Sequence, residues 1–90
     1  MPFFVNKNIT AVSEDTFAKN KADDVRILPG TTEIQARAFA GWTRLWRIAF
    51  HYNSNLRVIG EYAFQGTALK TFLAPPSLQI IRSGAFANCA

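Results

Sequence analysis

Hydrophobic positions recur along the chain with a long period. Four phenylalanines each follow a small residue, at Thr16-Phe17, Ala38-Phe39, Ala63-Phe64 and Ala85-Phe86, with separations of 22, 25 and 22 residues. Five residues before each stands a β-branched aliphatic: Val12, Ile34, Ile59 and Ile81. Eight or nine residues after the first three come Val25, Ile48 and Phe72, and two further on Ile27, Phe50 and Ala74. That alternation at period two predicts a short strand with one face buried. The aliphatic and the Phe five residues later cannot share a strand face, because odd spacing flips the side. A tight turn or a single helical turn between them aims both inward. In the first copy Ser13, with Glu14 and Asp15 behind it, has the composition of a short helix start. The chain turns again three residues past each Phe, at Asn20, Trp42, Thr67 and Cys89, and Pro29-Gly30 and Pro75-Pro76 close two of the loops.

Each unit is thus a coil of strand, turn and short helix, too small to bury its own hydrophobic face. Stacking buries it, and at least about three coils are needed for stability. The coils fall at approximately 9–33, 34–58, 59–80 and a partial 81–90, in one repeat domain spanning 1–90. Six of the eight phenylalanines (Phe17, Phe39, Phe50, Phe64, Phe72 and Phe86) occupy inward positions, which assigns the aromatic content to the core. The expected class is an α/β repeat, mostly β and turn: one sheet of about three short parallel strands with short helical turns outside. The outward strand positions are Asp24, Arg26 and Leu28, then Arg47, Ala49 and His51, then Thr71, Leu73 and Pro75.

The repeated strings carry a resemblance. Ile59-Gly60-Glu61-Tyr62-Ala63-Phe64-Gln65-Gly66-Thr67 and Ile81-Arg82-Ser83-Gly84-Ala85-Phe86-Ala87-Asn88-Cys89 resemble the BspA-type leucine-rich repeat, in which Ile-Gly-x-x-Ala-Phe-x-x-Cys precedes Leu-x-x-Ile-x-Ile-Pro. The second half is similar in Leu45-Trp46-Arg47-Ile48-Ala49-Phe50 and in Leu69-Lys70-Thr71-Phe72-Leu73-Ala74-Pro75. The likeness runs from about Ile9 to the last residue. Trp42 departs from it, standing where the family prefers Cys or a small polar residue, and His51 replaces the usual Pro. The resemblance implies a leucine-rich-repeat solenoid whose sheet face contacts other proteins, as in adhesins, at the cell surface or in secreted proteins.

Composition adds little to this and removes much. With 90 residues, 49% hydrophobic and 18% charged, the chain reads as one folded domain rather than a disordered segment. A formal charge of +4 admits acidic or nucleic-acid partners without demanding them. The single cysteine, Cys89, rules out an internal disulfide. No segment approaches the roughly 18 apolar residues of a membrane span. The opening MPFFVNKNIT has no basic residue ahead of its hydrophobes, so it does not read as a secretory signal. The half-length last coil reads as a piece of something longer, with an uncapped end that invites self-association.

Nothing in the sequence reads as an active site. His51 and Cys89 are the only residues of their types and lie 38 positions apart, whereas a nucleophile needs an adjacent base and an orienting group. The six acidic residues are scattered, without the three or four clustered ligands of a metal site, and no cofactor motif is present. The distinctive stretch is the second coil. Ile34 to Gly60 contains Arg37, Arg44, Arg47 and Arg57, one histidine and no acidic residue, interleaved with Trp42, Trp46 and Tyr52. The expected binding residues are Arg26, Trp46, Arg47, His51, Tyr52, Thr71 and Leu73. A protein contact follows from the prominence of Trp and Arg at interface hot spots. A polyanion or nucleic-acid contact is the competing reading, with phosphates on arginine and bases stacked on Trp. A third is that Trp42 simply packs on a neighbouring turn while the arginines face solvent.

Overall fold

The structure is a computed structural model and describes residues 2–5 and 22–89. The first-coil features read from the sequence, Val12, Ser13, Thr16-Phe17 and Asn20, lie outside the described residues. Six strands appear: β1 (Pro2–Val5), β2 (Asp24–Ile27), β3 (Glu33–Ile34), β4 (Arg47–Phe50), β5 (Val58–Ile59) and β6 (Ile80–Ile81). All pairings are parallel, and every strand pairs with the one a repeat away. Sheet A has the order β1-β2-β4, with Asp24 opposite Pro2 and Arg47 opposite Asp24. Sheet B has the order β3-β5-β6, with Ile34, Ile59 and Ile81 in one column.

Two expectations are corrected here. One sheet was expected and two are found, because the aliphatics before Phe39, Phe64 and Phe86 are themselves in two-residue strands, too short to show an alternation. No helix occurs among the described residues. The segment around each Phe instead divides its amides between two directions. Arg37, Phe39 and Gly41 donate to Glu61, Ala63 and Gln65 of the next coil, while Ala38, Ala40 and Trp42 donate back three residues within their own. Tyr62, Phe64 and Gly66 repeat the pattern onto Ser83, Ala85 and Ala87. An α-helix would use every amide internally, so a chain that spends alternate amides on its neighbour cannot form one.

Left-handed residues make this zigzag. Two positions before each Phe lie Arg37, Tyr62 and Gly84, with φ of 61°, 55° and 68°, and two positions after lie Gly41, Gly66 and Asn88, with φ of 81°, 74° and 57°. Glycine and asparagine at the second set suit this conformation at little steric cost. At the first set each side chain lies over the equivalent residue of the next coil. The Arg37 guanidinium sits 4.8 Å from the centre of the Tyr62 ring, and the Tyr62 ring lies against Gly84.

The core is built from columns. Phe39, Phe64 and Phe86 stack at 5.2 and 5.3 Å with rings within 4° of parallel. Ala38, Ala63 and Ala85 are buried beside them, and their small size lets successive coils approach to that spacing. Trp42 is fully buried, edge-on to Phe39 at 4.7 Å and tilted against Phe3 at 5.5 Å. It therefore lies in the core, against Phe39 of its own coil and Phe3 of β1, and belongs to no surface patch. In sheet A, Val25 and Ile27 are fully buried, whereas Ile48 and Phe50 are half-buried, because β4 is the sheet's edge. β1 lies upstream of Ile9, where the recognisable repeat begins. Its Val5 is buried, Phe3 is half-buried and Phe4 points outward.

The expected strand of the third coil does not form. Ala74, placed inward by alternation, is exposed, and Pro75, placed outward, is buried. Phe72 keeps its inward position and meets Phe50 edge-on at 5.6 Å.

Candidate functional site

β4 and the third-coil segment beyond Ala68 diverge and leave a groove of about 950 Å³ between them, near the upper end of the roughly 300–1,000 Å³ of ligand-sized clefts. Its floor contains Ile48 and Phe50 and one wall carries Trp46, Arg47, His51 and Tyr52. The other wall carries Lys70, Thr71, Leu73, Ala74, Pro75 and Pro76. Six of the seven expected binding residues line this groove. Arg26 does not: it sits one strand away, opposite Ala49, where its guanidinium bonds the Asp24 carboxylate at 3.2 Å.

The sequence positions each wall residue by local rules. Leu45 is buried and turns Trp46 outward, so that the indole is 57% exposed. Trp46 and Arg47 both direct their amides to the Asp23 carbonyl, which anchors the start of β4. His51 ends the strand. Its ring stacks on Tyr52 at 4.4 Å and its Nδ1 accepts the Asn53 amide at 3.0 Å. His51 is thereby engaged in shaping the turn, and Tyr52, 87% exposed, projects beyond it. Leu73 lines the groove at 86% exposure.

No acidic side chain lines the groove, although the neighbouring strand brings one close. The Asp24 carboxylate lies 4.0 Å from the Arg47 guanidinium, a contact hidden in the sequence because the two residues are a full coil apart. Sequence reasoning also passed over Lys70, Pro75 and Pro76. The lysine lay outside the arginine-rich second coil, and Pro75-Pro76 read as a loop closer, with Pro75 also an outward strand position but no binding residue.

Elsewhere the chemistry is structural. The Cys89 thiol donates to the Phe64 carbonyl at 3.3 Å and lies 3.4 Å from the Thr67 hydroxyl, which makes it a turn residue of the last coil. Among the described residues no group of three or more His, Cys, Asp or Glu could hold a metal ion. No helix among them is long and apolar enough to cross a membrane.

A family model for the BspA-type leucine-rich repeat region matches residues 3–90, in six copies. The chain belongs to the BspA-type leucine-rich repeat family. The match begins at Phe3, within β1, and so takes in the strand that lies upstream of Ile9. Six copies divide the BspA-type region more finely than the three and a half coils read from the phenylalanine period. No curated protein and no solved structure matches the chain. Leucine-rich repeats of this type are often involved in protein–protein interaction, and the groove beside β4 brings together exposed aromatic and basic groups.

Proposed function

We propose that residues 1–90 are a single solenoid segment that acts as a non-enzymatic protein-interaction or adhesion module, and that the groove beside β4 is its contact surface. The observation that carries this reading is the clustering of Trp46, Tyr52 and Leu73, three of the six large hydrophobics left exposed among the described residues. They line one groove with Arg47 between them. Exposed apolar groups that converge mark a contact site, whereas scattered ones do not. Trp, Tyr and Arg are also the residues that dominate interface energetics.

The test is capture of partner proteins on the immobilised chain, followed by binding of one purified partner to wild type and to Trp46→Ala and Tyr52→Ala. A loss of about tenfold or more in affinity for either variant is expected, the size of a hot-spot truncation. Unchanged affinity in both rejects the groove as the contact surface.

The second reading is polyanion binding, favoured by one observation: Arg47, Lys70 and His51 share the groove with three aromatics and no carboxylate. It is separable by salt. Affinity for a single-stranded oligonucleotide resting on phosphate contacts drops several-fold or more between about 50 and 200 mM salt. A protein contact centred on Trp46 and Tyr52 changes far less.

A further inference from the structure

Among the described residues β4 has a hydrogen-bonded neighbour strand on one side only. Toward β2, the Arg47 and His51 amides donate to the Asp23 and Ile27 carbonyls. Amide direction alternates along a strand, so Ile48 and Phe50 send both their N–H and C=O groups to the opposite edge. The third coil runs past that edge without pairing. It touches the second coil where the Ala68 amide meets the Leu45 carbonyl at 2.8 Å, and rejoins it where Gln79 meets Arg57 at 2.9 Å. Between those points no hydrogen bond among the described residues joins it to β4.

A single residue type accounts for the missing end of this ladder. The first two junctions of sheet A close with the Leu28 amide on the Val5 carbonyl at 2.7 Å and the His51 amide on the Ile27 carbonyl at 3.0 Å. The corresponding residue of the third coil is Pro75, which has no N–H to give. The Phe50 carbonyl is left facing the groove.

We propose that this edge receives an extended, acidic segment of a partner protein as an added strand. Its backbone would pair with Ile48 and Phe50, and its carboxylates would lie against Arg47 and Lys70. This rests on the reading of the groove as a protein contact surface. An unpaired strand edge is a template for another chain, and here it lies open at the bottom of a groove. Charge selects the partner: the lining carries Arg47, Lys70 and His51 and no Asp or Glu. The edge also distinguishes a peptide from a nucleic acid. It presents carbonyl acceptors beside amide donors, and a phosphate can satisfy only the donors.

The test uses a fluorescein-labelled, end-blocked peptide of alternating Glu and Val, six residues long. It is compared with its Lys-for-Glu counterpart and with two versions N-methylated on one or the other alternating set. The acidic peptide binds, and the lysine peptide binds about tenfold or more weakly. N-methylation of one set alone weakens binding by about tenfold, as expected for two lost backbone hydrogen bonds of about 0.5–1.5 kcal/mol each. On binding, the Ile48 and Phe50 amides become protected from hydrogen exchange. The Arg47→Gln/Lys70→Glu double variant, altered only at exposed side chains, loses the acidic peptide while keeping the wild-type Tm. Equal binding of both N-methylated versions, or no new protection at Ile48 and Phe50, overturns strand addition but leaves a side-chain contact surface intact. No binding of the acidic peptide, or undiminished binding by the double variant, also overturns it. The wider protein-contact reading then stands or falls on Trp46→Ala and Tyr52→Ala with a purified partner.

Discussion

The ring of Tyr62 rests on Gly84 so closely that a Cβ at residue 84 would lie 2.4 Å from its Cε1. Both residues occupy the position two before a repeat Phe, one coil apart, and both have positive φ. Gly84 is thus required twice, by its own backbone and by the ring of the preceding coil. Gly84→Ala is expected to destabilise by about 2–5 kcal/mol, adding a left-handed penalty of about 1–2 to an overpacking cost of about 1–3. Chemical denaturation measures the sum and the Tyr62→Ala background separates the parts. In that background the cost should fall to the backbone penalty alone. A Gly84→Ala cost that is the same with and without the Tyr62 ring shows that the ring contact contributes nothing.

The phenylalanine column predicts a gradient of stability along the stack. Phe64 is fully buried between Phe39 and Phe86, whereas Phe86 is half-buried. Phe64→Ala should cost about 3–5 kcal/mol, a large share of the roughly 5–15 available to a small domain. Phe86→Ala should cost about half as much, since part of its ring is already in water. If Phe64→Ala does not fold, Phe64→Leu against Phe86→Leu makes the same comparison. Equal costs at the two positions contradict the gradient.

The columns were legible in the sequence, and the reason is physical. Phe39, Phe64 and Phe86, with Ile34 and Ile59 five residues ahead, repeat because each coil must present the same side chain at the same depth. What could not be read was how the backbone joins those columns. Glu33–Ile34 and Val58–Ile59 are two-residue strands, and two residues carry no periodicity. The left-handed pairs were half visible: Gly41, Gly66 and Asn88 are turn formers, but nothing in Arg37 or Tyr62 announces a positive φ. The groove was harder still. Trp46, Arg47 and Tyr52 stood out by type, whereas Lys70 and Pro75 gain their meaning only from an unpaired edge that depends on the neighbouring coil.

Trp46 and Arg47 contribute to surface more than to stability. The indole is more than half exposed, and the Arg47 guanidinium is half exposed beside Asp24 at 4.0 Å. An exposed ion pair of this kind is worth about 0–1 kcal/mol. Trp46→Ala and Arg47→Ala should therefore each shift unfolding free energy by no more than about 1 kcal/mol. Thermal denaturation checks this. A larger loss in either variant shows that its side chain supports the fold, and any binding defect would then need a separate explanation.

Among the described residues no strand pairs with the outer edge of β6, which predicts association between copies of residues 1–90. Ile80 and Ile81 are 43% and 49% exposed on the outer strand of sheet B, and an open, apolar strand edge favours edge-to-edge pairing. Sedimentation velocity over a concentration series should show reversible dimers, and Ile80→Lys should reduce them at unchanged circular dichroism. A chain that stays monomeric at all concentrations rejects this. Dimers unaffected by Ile80→Lys place the contact elsewhere.

Pro75 keeps the groove open, and replacing it should begin to close it. Pro75→Ala supplies the amide that Leu28 and His51 supply in the earlier coils, and the register of those coils makes the Phe50 carbonyl its acceptor once the segment closes on β4. The two energetic consequences oppose one another. A new backbone hydrogen bond contributes about 0.5–1.5 kcal/mol, and loss of proline's restraint on the unfolded chain removes about 0.4–1. Net stability should therefore move little, with some further loss because Pro75 is buried. The informative readout is local. The new amide at residue 75 should exchange about fivefold more slowly than an unstructured amide, as a hydrogen bond of about 1 kcal/mol implies. Because the segment can then lie along β4, the acidic peptide should bind more weakly to this variant than to wild type. An amide that exchanges freely, with peptide binding unchanged, means that proline at 75 is not what holds the third coil away from β4.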